Sequence, residues 1–325
     1  MKKLFFQPLI FIFICLFSTS CNNNNWNRHE GFALGTYYAI TYSGEKNSQL
    51  KEEIDSILRK INQDFSIFDT LSQISLLNRN YTNQVSSSIA EIITLAQEIS
   101  VQTEGAFDIT IGPLIDLWGF GRGDTPSADS ASIDSIRQFV GYNKISCNEG
   151  TLWKKDPRIT LNFNAIAKGW AVDQIANYLL HRGYNNFVVD IGGEIVTHGN
   201  RNGEPWRIGI QIPTETADGP IESMETITLQ NAAIATSGNY RNYHEINGER
   251  FSHILNPITG YPEKSSLLSV TVIAPTCAIA DAYATAFMVM GKEKTTQFIT
   301  SHPELKVCFV YDDHGTLKTL NKLQE

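Results

Sequence analysis

Asn162-Phe-Asn-Ala-Ile-Ala-Lys168-Gly-Trp-Ala-Val-Asp173 sits between two segments of opposite character, and the fold can be read outward from it. Before it, Arg158 to Phe163 predicts a strand. After it, helical spacing continues to about His181, where Gly183 stops the helix. Phe187 to Ile191 is then a β-rich run ended by Gly192-Gly193. Further out, Ser48 can cap a helix with apolar positions Leu50, Ile54, Ile57, Leu58 and Ile61. A second stripe, Ile89, Ile92, Ile93, Ala96 and Ile99, stops near Gly105. Trp206 to Ile212, Leu268 to Ile273 and Val307 to Tyr311 predict strands, and Asp313-His314-Gly315 a turn after the last. Gly121 to Asp134 and Pro213 to Glu225 read as surface loops. Strands and helices mix rather than strictly alternate, so the predicted class is α+β, with one large domain over residues 31–325.

The chain has 325 residues, 42% hydrophobic and 18% charged, which excludes a disordered chain, a collagen-like repeat and a small disulfide scaffold. Its net charge of −8, from 26 Lys+Arg against 34 Asp+Glu, argues against nucleic-acid binding. At the N-terminus Lys2 and Lys3 precede an apolar run whose unbroken part is Leu9 to Phe17. That is far below the roughly 20 apolar residues of a spanning helix, so residues 1–20 read as a secretory signal. Ser18-Thr19-Ser20-Cys21 resembles a bacterial lipoprotein cleavage site, although Ser18 stands where Leu is expected. Cys21 is the predicted lipidation site, with residues 21–30 as a polar tether. Cys147, Cys277 and Cys308 remain, and their spacing suggests neither a disulfide framework nor a zinc site.

Four segments combine residues that could carry chemistry. Gly105 to Gly121 holds Asp108, Thr110, Trp118, Phe120 and several glycines; it suits a flat ligand, or simply a turn-rich loop. Lys168, in the first turn of its helix, opposes the macrodipole but would suit a phosphate there; otherwise it is a snorkelling surface lysine. Thr236-Ser237-Gly238 could be an anion-binding turn. His253, on a predicted strand, could be a general base or a structural histidine. In Cys277 to Gly291, a helix by period stopped at Gly291, Asp281 and Thr285 share one face. Their oxygens favour Mg²⁺ over zinc; alternatively the Thr hydroxyl satisfies the Asp within the helix.

In this order the segments resemble the ApbE family of flavin transferases. The similarity rests on Leu34-Gly35-Thr36, Ala106-Phe107-Asp108 with Gly112-Pro113-Leu114 and Trp118 to Gly121, and Ala165 to Gly169 with Val172-Asp173. Asp190 to Glu194, Thr236 to Tyr240, Ser252-His253-Ile254, and Ala280-Asp281-Ala282 with Thr285 complete it. The resemblance implies cleavage of the FAD pyrophosphate and transfer of FMN to a Thr hydroxyl of an acceptor protein. AMP is released, and Mg²⁺ is required. It implies Mg²⁺ ligation by Asp281, Thr285 and the Ala165 carbonyl, FAD contacts at Leu34, Phe68, Ala106, Phe107, Asp108, Asn162, Lys168 and Leu255, and His253 as the base. The implied partners are flavin-carrying subunits of membrane redox complexes or extracytoplasmic electron carriers. The implied location is the bacterial cell envelope, membrane-anchored through Cys21 and facing the periplasm.

Three positions depart from the family pattern: Asn162 and Asn256 stand for Asp, and Leu34 for Met. No acceptor-type flavinylation motif occurs in the chain, so it reads as the transferase rather than its own substrate. Rival expectations are a Mg²⁺-dependent FAD pyrophosphatase, a non-catalytic FAD-binding lipoprotein, and a Ser237/His253 hydrolase. The last lacks the Gly-x-Ser-x-Gly elbow.

Overall fold

A computed structural model describes residues 25–121, 128–211, 224–239, 243–246 and 249–323. The predicted signal and Cys21 lie outside them, as do most of the Pro213 to Glu225 loop and Tyr240. The chain opens with strands β1 (Trp26–Ala33) and β2 (Thr36–Ser43), then helices α1 (Ser48–Phe65), α2 (Gln73–Asn78), α3 (Ser87–Gln102), α4 (Gly112–Leu117) and α5 (Ser130–Arg137). A hairpin of β3 (Ile145–Asn148) and β4 (Thr151–Lys154) precedes α6 (Ala167–His181). Strands β5 (Phe187–Ile191), β6 (Glu194–His198), β7 (Trp206–Gln211), β8 (Met224–Leu229), β9 (Ala232–Gly238), β10 (Tyr243–Ile246), β11 (Glu249–Ser252) and β12 (Leu267–Ala274) follow. The chain then forms α7 (Cys277–Thr300), β13 (Lys306–Asp313) and β14 (Thr316–Asn321).

Among the described residues eight strands make one antiparallel sheet in the order β1-β2-β5-β6-β9-β12-β13-β14. Helices α6 and α7 lie against one face, and the β7–β8 hairpin covers part of the other. Strand alternation explains both layers. On β12, Val270 and Val272 point into the helical core, whereas Ile273 joins Trp206, Ile208, Ile227 and Leu229 under the hairpin. Predominantly antiparallel pairing beside segregated helices is the expected α+β arrangement. Among the described residues no helix is long and apolar enough to cross a membrane.

Several expectations need correction. Strand β1 starts at Trp26, inside the stretch expected to be a tether, because Trp26 to Ala33 pairs throughout with β2 and Trp26 packs on Trp206. Arg158 to Phe163 is not a strand. Its backbone partners are not a ladder: Leu161 exchanges hydrogen bonds with the Asn78 side chain, and the Asn162 N–H donates to the Ile109 carbonyl at 2.7 Å. Asn47 rather than Ser48 caps α1. The Gly121 to Asp134 loop is shorter than expected, since Asp129 caps α5 and Ile133 is buried. Gly291 (φ 77°) breaks α7 as predicted, but the chain resumes helix to Thr300.

Candidate active site

A cavity of about 1030 Å³ opens among α6, α7, the β5–β6 turn, β9 and the loops before α6 and after β11. Every non-lipidated site residue expected from sequence lines it: Leu34, Phe68, Ala106, Phe107, Asp108, Asn162, Ala165, Lys168, His253, Leu255, Asp281 and Thr285.

Leu34 arrives on the tip of the β1–β2 hairpin. Leu34 (φ 52°) and Gly35 (φ 76°) form a two-residue turn with both residues left-handed, which matches the twist of the strands. A leucine is costly there, and that strain aims an apolar side chain at the cavity. Phe68 follows the end of α1 and is 68% exposed at the cavity wall. Ala106 and Phe107 are buried. Asp108 caps the short 3₁₀ turn after it, accepting the Thr110 N–H at 2.8 Å and the Thr110 hydroxyl at 2.7 Å. Burial pushes its carboxyl up, against those two donors.

Asn162 is buried, and its Oδ1 accepts the Asn164 N–H at 2.9 Å. An Asp could accept the same bond, so this local turn tolerates either residue. Asn256 likewise holds a turn, its Oδ1 accepting the Ile258 and Thr259 N–H groups, but its Nδ2 also donates to Glu263, a bond an ionised Asp could not make. That turn fixes the segment carrying His253 and Leu255. Trp118 clamps it from the other side by donating Nε1–H to the Gly260 carbonyl at 2.9 Å. His253 itself lies one residue beyond β11, edge-on to Phe120 at 6.3 Å.

The polar cluster is built where α6 and α7 begin. Gly169 has no room for a Cβ, which would stand 2.3 Å from the Cys277 carbonyl oxygen, so the two helix starts touch backbone to backbone. No side chain caps the N-terminus of α6 from Ile166. Instead the Gly169 N–H donates to Asp281 Oδ2 at 3.0 Å. Among the described residues no backbone amide bonds the Ala165 carbonyl, and Ala165 lines the cavity. Lys168 pairs with Glu194, which is 2% exposed and whose Oε2 has no partner. Burial pushes Glu194 up to about 7; Lys168 opposes this and Asp281 adds to it. Burial also raises Asp281, with Lys168 and the Gly169 amide pulling it back. Burial tends to lower Lys168, but Asp281 and Glu194 together hold it above the ordinary lysine value.

These donors fit a hard divalent cation. They are a carboxylate, a hydroxyl and a carbonyl, all oxygen. Asp281 and Thr285 do not hydrogen-bond each other, so the helix-internal alternative is not what the side chains do. Glu194 Oε2 is an orphaned buried acceptor beside them. Among the described residues no group of three or more His, Cys, Asp or Glu converges, which is unlike a zinc centre. An ion bound by few protein ligands and completed by phosphate oxygens is the usual magnesium arrangement.

The family model for the ApbE family matches residues 34–309. The chain belongs to the ApbE family. It is 38% identical over 275 residues to the FAD:protein FMN transferase of Vibrio cholerae, covering 81% of each chain. It is 33% identical over 306 residues to the Escherichia coli K12 protein of that name, covering 89% of this chain and 85% of that one. The solved flavin transferase ApbE from Vibrio cholerae superposes with a TM-score of 0.83 at 34% identity, covering 92% of this chain and 97% of that one. The apo flavinyl transferase ApbE of Pseudomonas stutzeri gives 0.81 at 29% identity, over 92% and 95% of the two chains.

Two features escaped the sequence. Glu194 stands in the motif after Gly192-Gly193, yet nothing in the one-dimensional pattern paired it with a lysine 26 residues away. Its nearest sequence signal is an acidic residue directly before the apolar pair Ile195-Val196 on the strand Glu194 to His198. Asp173 was visible only as part of a motif; its partners lie on α7. Thr236-Ser237 proves to be strand, not turn: Ser237 pairs with Val270, and the Thr236 hydroxyl meets that of Thr271 at 2.9 Å. No elbow exposes Ser237 as a nucleophile.

Proposed function

We propose that this ApbE-family chain transfers FMN from FAD to a threonine hydroxyl of an acceptor protein, with Mg²⁺ held by Asp281, Thr285 and the Ala165 carbonyl. The observation that carries this is the convergence of those three oxygen donors and Lys168 on one cavity that is also lined by Leu34, Phe68 and Phe107. In the reaction the acceptor Oγ bonds to the FMN phosphorus, the bond from that phosphorus to the AMP-side oxygen breaks, and AMP leaves. His253, on the cavity wall, takes the hydroxyl proton. Lys168 and the positive start of α6 draw the pyrophosphate to this end of the cavity. Bound Mg²⁺ would supply charge neutralisation on the phosphate oxygens, which is most of what phosphoryl transfer asks of a protein.

As acceptors we propose flavin-carrying subunits of membrane redox complexes or extracytoplasmic electron carriers. We place the enzyme in the cell envelope, anchored through lipidated Cys21. The basic and apolar start of the chain and the small residues before Cys21 support that location. Intact-mass measurement of an acceptor domain incubated with FAD and this chain tests the reaction. An FMN-sized gain with Mg²⁺ but not with EDTA is expected. Free FMN and AMP with no mass gain would instead establish a pyrophosphatase, and no FAD cleavage at all would leave a binding protein.

A further inference from the structure

Helices α6 and α7 grip each other through a reciprocal pair of carboxylates. Asp281, one turn into α7, accepts the first-turn Gly169 N–H of α6 at 3.0 Å. Asp173, one turn beyond Gly169 on α6, accepts the first two amides of α7: Cys277 N–H to Oδ1 and Ala278 N–H to Oδ2, both at 2.8 Å. The spacing is the same on both helices, four residues from the touching backbone to the carboxylate. Between the two pairs lies the Gly169–Cys277 contact, too close for any side chain.

Helix α7 has its own cap in Thr276, whose side-chain Oγ1 accepts the Ile279 N–H at 3.4 Å. The two amides before it are satisfied solely across the interface, by Asp173. A helix start held by two short charge-assisted bonds has a fixed axial position and a fixed rotation. Both matter, because Asp281 and Thr285 reach the cavity from successive turns of α7, while Ala165 and Lys168 reach it from the start of α6.

We propose that Asp173 is a positioning residue of the cation site: by gripping the Cys277 and Ala278 amides it sets the register of α7 on α6 that brings Asp281 and Thr285 to Ala165 and Lys168. Asp173 does not line the cavity and touches no reacting group. Its effect passes entirely through the helix it holds. The inference rests on the proposed reading of Asp281 and Thr285 as cation ligands.

The test compares the wild-type chain with Asp173→Asn and Gly169→Ala. Asp173→Asn keeps one acceptor oxygen and turns an amide NH₂ toward the second N–H. Gly169→Ala keeps the carboxylate and forces the helix starts apart. Three quantities are read: the Mg²⁺ concentration giving half-maximal FAD cleavage, the Kd for FAD without metal, and hydrogen exchange at the amides of Cys277 and Ala278. In both variants the Mg²⁺ requirement is expected to rise roughly tenfold to a hundredfold, the range for a group that orients a metal ligand. Saturating Mg²⁺ should restore most of the rate, Kd for FAD should change by less than about threefold, and the two amides should exchange faster. A purely structural role would instead lower the melting temperature and weaken FAD binding and rate together. Faster exchange with an unchanged Mg²⁺ requirement overturns the proposal. If Asp173→Asn does not fold, Gly169→Ala alone decides it by the same criterion. A wild-type chain whose FAD cleavage ignores Mg²⁺ would refute the cation reading itself, which is a distinct outcome.

Discussion

At Asp281 one carboxylate serves two neighbours: Oδ2 accepts the Gly169 amide, and the group faces Lys168. Its removal leaves Lys168 paired with Glu194, so the lysine is not stranded. Asp281→Ala is therefore expected to cut FMN transfer roughly a hundredfold or more, the scale of losing one electrostatic contact to a transition state. Its melting temperature should stay within a few degrees; Mg²⁺-dependent turnover at the wild-type rate would dismiss the assignment. His253→Ala should slow transfer roughly 10²- to 10⁴-fold while FAD binding holds. Equal loss of binding and rate would make His253 a contact residue instead. The two buried carboxylates also set a pH dependence. Burial raises Glu194 to about 7 and pushes Asp281 in the same direction, so both carboxyls hold protons more readily than free ones. A cation bound at Asp281 as proposed competes with the proton there, so apparent Mg²⁺ affinity should increase as pH rises, with proton release on binding. Calorimetry in buffers of different ionisation heat reads the released proton. Binding that is pH-independent and proton-neutral would contradict this competition between proton and cation. Asn162 and Asn256 show why two apparent departures are tolerable: each Oδ1 accepts backbone N–H groups in a local turn, which either side chain can do.

Among the elements, the β1–β2 hairpin makes the sharpest trade. Leu34 takes a left-handed conformation that favours Asn or Gly, and it does so at the tip that enters the cavity. Leu34→Asn should raise the melting temperature by roughly 2 °C, the equivalent of relieving under 1 kcal/mol of strain in a domain of this size. It should also weaken FAD binding. Thermal melting of the apo protein and fluorescence titration with FAD measure the two sides, and a gain or loss in both together would break the link between strain and site. Helices α1, α3 and α6 were legible because their apolar residues recur with helical period and each buries that stripe. The Arg158 to Phe163 segment was misread because β-like composition does not say where hydrogen bonds go; here they go to Asn78 and Ile109. His253 falls just outside β11, within the usual uncertainty of an element boundary.

For the molecule as a whole, the core and the site can be separated by experiment. Phe287 is fully buried on α7, packed against Tyr283 and Phe298 and away from the cavity wall. Phe287→Ala should cost about 3–5 kcal/mol of stability. The fraction that stays folded should keep the wild-type Mg²⁺ requirement, read by denaturant unfolding beside the cleavage assay. A raised requirement would mean that core packing, and not the α6–α7 clamp, sets the site. The sequence by itself determined the α+β class, helices α1, α3, α6 and α7, strands β5, β7, β12 and β13, and Asp108, Lys168, His253, Asp281 and Thr285 as candidates for chemistry: these depend on periodicity and on functional groups, which are local properties of a chain. Only the tertiary structure decided that Lys168 would meet Glu194, that Asp281 would cap α6, and that Asp173 would hold α7. Those contacts join residues 26, 112 and at least 104 positions apart. Their geometry follows from how closely two helices approach at Gly169, and no pattern along one strand or one helix encodes that distance.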